Sequence, residues 1–119
     1  MPDLAVHLRL ARNNENFCQY LLSSNTYLDW AVTGLFYSAV HYIEAYLAIK
    51  ATHSGSHKGR DSEICFDTNL SRIYAEFSDL KNDSTQTRYV GYTFPRTEID
   101  SRILPTFNTL KSHIQALLP

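Results

Sequence analysis

Cysteine is scarce in this chain. Cys18 and Cys65 are its only two, without CxxC spacing, which excludes a disulfide framework. Both read as reduced, small, buried side chains of a cytoplasmic protein. Net charge is also nearly absent. Eleven basic and 12 acidic residues leave a formal charge of -1, with a sequence pI of about 6.5. A non-specific nucleic-acid binder carries a strong basic excess, so the field of the whole chain does not drive such binding, and only local basic patches remain open. No basic segment followed by an apolar run opens the sequence at Met1-Pro2-Asp3-Leu4, so no signal peptide is expected. The most apolar stretch, Trp30 to Ile49, is about long enough to span a bilayer. It contains His41, Glu44 and five aromatic residues, which favours a buried core helix, and no membrane is expected. GxGxxG and P-loop motifs are missing, and neither cysteine has a sequence-local base that would make it a nucleophile.

What is present fits one globular domain over residues 1–119. Hydrophobic residues make up 44% and the mean hydropathy is -0.28, enough for a core without staples. No internal repeat, low-complexity tract or linker interrupts the chain, and no alternating run is long enough for a sheet.

The periodicity predicts helices. The first runs from about Asp3, its N-cap, to Ser23, with Leu4, Leu8, Ala11, Cys18, Leu21 and Leu22 on one face and a polar middle at Asn13-Asn14-Glu15-Asn16. A turn follows at Ser23-Ser24-Asn25-Thr26. The second helix, about Tyr27 to Thr52, is apolar on two faces: Trp30, Tyr37, Ala45 and Ala48 on one, Ala31, Leu35, Tyr42, Tyr46 and Ile49 on another. That makes it the spine of the bundle, with Gly34 and Ala39 permitting close approach. His53 to Arg60 reads as a loop, with Ser56 capping a short helix to about Phe66. A third main helix spans about Thr68 to Thr87. Arg88 to Pro95 reads as an aromatic loop. Thr97 with Asp100 resembles a capping box, so the fourth main helix is expected from about Glu98, kinked or divided at Pro105. The expected fold is all-α, a four- to five-helix up-and-down antiparallel bundle.

Asp29-Trp30-Ala31, then Phe36-Tyr37-Ser38-Ala39-Val40-His41-Tyr42-Ile43-Glu44-Ala45, then Ser56-His57-Lys58-Gly59-Arg60, Leu70 to Leu80 and Arg88-Tyr89 form an order that resembles the prokaryotic HEPN domain proteins, over nearly the whole chain. The resemblance implies a helical bundle, often homodimeric. It also implies membership of a family rich in ribonucleases and in the toxin halves of toxin–antitoxin pairs, alongside nucleotide-associated domains without demonstrated chemistry. The ribonucleases use an Arg followed after four to six residues by a His. None of Arg9, Arg12, Arg60, Arg72, Arg88, Arg96 and Arg102 has a His at that distance, so no catalytic role is carried over.

The candidate site is a polar, anion-binding cluster of His57, Arg60, Arg88, Tyr89 and Tyr92. Arginine grips a phosphate in a forked way, a neutral His exchanges a proton, and tyrosine rings stack on bases. Its bland counterpart has the same residues tying loops to the bundle. His53, His57 and Cys65 offer metal-ligand types, but Ser54-Gly55-Ser56 is poor helix, so neither metal nor cofactor is expected. His41 with Tyr37 and Glu44 reads as a core or dimer-interface histidine. Two functions stay open. One is a HEPN-like interaction module, homodimeric because helix two has more apolar faces than one chain covers, with an antitoxin-like protein, a nucleotide or RNA as partner. The other is a divergent, metal-independent endoribonuclease using His57, Arg60 and Arg88.

Overall fold

The computed structural model describes residues 3–50 and 55–119. Helix α1 spans Leu4–Ser24, and α2 spans Leu28–Ile49. Asp3 caps α1 by accepting the Val6 N–H at 3.1 Å, as its short carboxylate suits it to do. The chain reverses at Asn25 and Tyr27, both in the left-handed region at φ 52° and 49°. Ser23 and Ser24, expected in the turn, remain helical and bond back to the Gln19 and Tyr20 carbonyls.

The two helices pair antiparallel along their length. Gly34 lies against Asn14 to Cys18, where an added Cβ would sit 3.3 Å from the Asn14 carbonyl oxygen. Ser38 Oγ donates to the Ala11 carbonyl at 2.8 Å, and His41 meets His7. Fifteen of the 22 residues of α2 are buried, and α1, α4 and α6 all pack on it. Helix two is therefore the spine, and most of its apolar surface is covered within one chain, with Trp30 and Ile49 near its two ends left exposed, so only those ends remain of the surplus apolar surface that argued for a dimer.

Helix α3, His57–Phe66, starts at Ser56, whose Oγ accepts the Gly59 N–H at 3.0 Å. It buries Ile64, while Cys65, expected inside, is exposed. A 3-10 turn at Ser71–Ile73 leads into α4, Tyr74–Thr85. Asp67 organises this entry, accepting the Asn69 and Leu70 N–H groups, the Tyr46 hydroxyl and the Lys50 ammonium.

Beyond Thr85 the chain stays helical. Gln86–Val90 forms a π turn, and Gly91, at φ 81°, ends it. The Tyr92 N–H closes the end on the Gln86 carbonyl at 3.0 Å, a glycine C-cap. Arg88 and Tyr89 thus stand on a helix and not in a loop, because the left-handed residue that stops the helix comes at Gly91.

The last rod comprises α5 (Arg96–Glu98), a π turn (Ile99–Ile103) and α6 (Leu104–Leu117). Its start lies ahead of the expected Thr97 cap. The Pro95 carbonyl accepts the Glu98 and Ile99 N–H groups at 3.0 and 3.1 Å, and the fixed φ of proline favours a helix entry there. Pro105 does not divide the rod. Ile103 and Leu104 keep right-handed helical angles, and the Leu104 N–H reaches the Ile99 carbonyl, one residue further than in an α-helix. The π turn absorbs the bond that proline cannot make. The described residues contain helices and no strand, an all-α bundle whose core centres on Phe36, Tyr42, Phe77 and Phe107.

Candidate functional site

Two of the five candidate residues, His57 and Arg88, meet Phe36, and Arg60 and Tyr89 join them through His57 and Arg88. His57 and Arg60 fall three apart in the first turns of α3, so they share a face, and Arg60 Nη1 lies 3.0 Å from His57 Nδ1. A guanidinium only donates, so His57 Nδ1 accepts and the neutral ring keeps its proton on Nε2. Arg60 Nε in turn donates to Glu44 Oε1 of α2 at 3.0 Å, with the two side chains only 12% and 10% exposed. The His57 ring stacks on Phe36, centroids 6.3 Å apart at 23°. Burial is the first cause that lowers the His57 pKa below 6.5; the charges of Arg60, Lys81 and Arg88 add to it, and Asp61 opposes. Asp61 itself pairs with Lys81, joining α3 to α4.

Arg88 reaches the same aromatic residue from the π turn. Its guanidinium lies 5.8 Å from the Phe36 centroid, 5.4 Å from that of Tyr37 and 4.9 Å from that of Tyr89. Nη1 donates to the Tyr37 hydroxyl at 2.8 Å. Among the described residues Arg88 has no carboxylate partner, and the aromatic faces, the Tyr37 hydroxyl and the Ser84 carbonyl, which accepts from Nε at 3.4 Å, compensate its charge. Tyr92 is not part of this group: past Gly91, its ring meets Phe94 edge-on at 4.8 Å. Phe94 in turn lies under Arg102, which forks onto Asp83 at 3.0 and 3.1 Å.

Sequence reasoning placed Glu44 and Tyr37 beside His41. Glu44 does act on His41 through its charge, but its ion pair is with Arg60, and Tyr37 holds Arg88. The partner of His41 is His7 of α1, with the two Nδ1 atoms 3.1 Å apart, so one ring donates and the other accepts. Burial, and then His7 and Arg60, lower the His41 pKa, with Glu44 opposing. Among the described residues no three His, Cys, Asp or Glu side chains gather as metal ligands; His53 lies outside them. Among the same residues no helix is long and apolar enough to cross a membrane.

Sequence reasoning also missed the elbow between α1 and α2. Trp30, assigned to a core face, is 53% exposed and forms a wall of two clefts. One, of about 440 Å³, is lined by Phe17, Leu21, Tyr27 and Trp30. The other, of about 280 Å³, is lined by Asp29, Trp30, Thr33, Thr87 and Arg88.

No protein-family model, curated protein or solved structure matches the chain.

Proposed function

We propose that the chain is a HEPN-like helical binding module and not a catalyst, with Arg88 as its main binding determinant. The observation that carries this reading is the chain of contacts from Glu44 through Arg60 to His57. An acid–base histidine needs a nitrogen free to take a proton from substrate. His57 Nδ1 is engaged by Arg60 at 3.0 Å, and Nε2 already holds the proton. Arg60 in turn is neutralised by Glu44. The pair that would have been catalytic is thus tied into the bundle. Arg88 differs, being a cation held by aromatic rings without a counter-ion among the described residues, which suits it to an anionic group on a ligand. A homodimer and an antitoxin-like partner belong to this reading on the family resemblance alone.

The test is incubation of the purified protein with labelled structured and single-stranded RNA, with and without EDTA, beside His57→Ala and Arg60→Ala. No cleavage by any form is the expected result. Cleavage by the wild type that both substitutions abolish would overturn the reading in favour of a divergent endoribonuclease.

A further inference from the structure

The two clefts at the α1–α2 elbow share the Trp30 side chain but differ in chemistry. The larger is walled by aromatic and aliphatic side chains. Tyr27 contributes to it from a left-handed backbone, φ 49° and ψ 49°, a conformation that costs a tyrosine free energy and is held by its surroundings. The smaller cleft holds one carboxylate, Asp29, and one guanidinium, Arg88. Among the described residues neither has an oppositely charged partner, and they make no ion pair with each other. The threonine hydroxyls of the same cleft are already used, Thr33 Oγ1 bonding Thr87 Oγ1 at 3.2 Å and Thr87 Oγ1 donating to the Ser84 carbonyl at 2.9 Å.

An unpaired cation and an unpaired anion in one cleft select against a ligand of a single charge. A phosphate monoester would satisfy Arg88 but suffer repulsion from Asp29. A ligand carrying both charges close together satisfies both. The apolar cleft across Trp30 adds a requirement for a bulky hydrocarbon group on the same molecule.

We propose that the two clefts form one binding site for a free α-amino acid with a large apolar side chain. Its carboxylate meets Arg88, its ammonium meets Asp29, and its side chain packs on Trp30 among Phe17, Leu21 and Tyr27. This assignment rests on Arg88 as the binding determinant and adds the ligand class.

Trp30 is the only tryptophan in the chain, so its fluorescence reports on the site directly. Phenylalanine and leucine are titrated into the full chain. N-acetylphenylalanine lacks the ammonium, phenylalaninamide lacks the carboxylate, and adenosine monophosphate tests the phosphate dianion. Saturable change with phenylalanine is expected, weakened about tenfold or more for each blocked form and for Arg88→Gln and Asp29→Asn. Asp29→Asn should also reduce the penalty on N-acetylphenylalanine, which a merely misfolded variant would not do. No saturable change at millimolar amino acid, equal response to the blocked forms, or tighter binding of adenosine monophosphate would each overturn the proposal. If the amino acid fails while adenosine monophosphate binds in an Arg88-dependent manner, only the ligand class falls. If Arg88→Gln changes no binding, the binding-module reading falls with it.

Discussion

Arg60 Nε donates to Glu44 Oε1 at 3.0 Å across the gap between α2 and α3, with both side chains almost out of solvent. An ion pair in this position adds little over an apolar pair, but removing one partner leaves the other charge stranded. Glu44→Ala is therefore expected to lower unfolding stability by about 3 kcal/mol, read as a shift of the urea midpoint at unchanged slope. A loss below about 1 kcal/mol, the level of an exposed pair, would mean that Arg60 finds water or another acceptor.

The imidazoles of His7 and His41 share one proton across the α1–α2 seam. Burial and the neighbouring charges hold the pKa of His41 below its unfolded value of 6.5, and His57 is shifted the same way. Between the folded and unfolded values the unfolded chain binds more protons, so stability falls as pH drops below 6.5 and levels off once the folded-state pKa is passed. Urea unfolding of wild type and His41→Gln at pH 7.5 and at pH 5 checks this. The substitution should reduce the loss on acidification. An unchanged loss would place the acid sensitivity elsewhere.

Hydrophobic periodicity located every main helix because a buried stripe repeats wherever a helix packs, as at Ile99, Ile103, Phe107, Leu110 and Ile114, all buried. It failed at Trp30 for a physical reason. The stripe gives the direction of a side chain around the helix, not how far a neighbour extends along it, and at the elbow cover runs out. The helix end at Arg88 is missed because a π turn leaves no residue signature, and Gly91 marks the true stop. The start at Arg96 is missed because the Thr97–Asp100 pair imitates a cap, whereas Pro95 marks the true start. Of the site, His57 and Arg60 are legible as neighbouring candidates by residue type, but their i, i+3 pairing on a helix appears only once His57–Phe66 folds as one, where a loop is expected up to Arg60. Their tie to Glu44, and the approach of Arg88 to Phe36, depend on helices meeting from 16 and 52 residues away, which local spacing does not contain.

The same distinction separates the two cysteines. Cys18 is buried between α1 and α2, and burial followed by the Glu15 charge pushes its thiol up to about 12, against a small opposing effect of Arg96. Cys65 is exposed on α3. A thiol-reactive chromogen should therefore modify one thiol per folded chain and the second only on unfolding. Peptide mapping showing Cys18 labelled at the rate of Cys65 would contradict the packing of α1 on α2.

Gly91 ends the π turn at φ 81°, and a Cβ there would meet nothing within 4 Å. The cost of Gly91→Ala is thus purely that of forcing a left-handed backbone on alanine, about 1 kcal/mol. It should appear as reduced stability with the helical circular dichroism intact. No change would show that the cap relaxes to another conformation.

Ser84 points to a substitution that should raise stability. Its Oγ is fully buried and has no hydrogen-bond partner among the described residues, although its carbonyl accepts from Thr87. A hydroxyl taken out of water without a partner costs free energy, and serine is also a weaker helix former than alanine. Ser84→Ala removes the hydroxyl while leaving the carbonyl that accepts from Thr87 in place. The expected gain is about 1 kcal/mol, read as a higher urea midpoint and melting temperature. A loss of that size would mean that Oγ is satisfied in solution, by a water or by rotation onto a backbone carbonyl, and that this layer between α4 and its neighbours is less dry than its burial indicates.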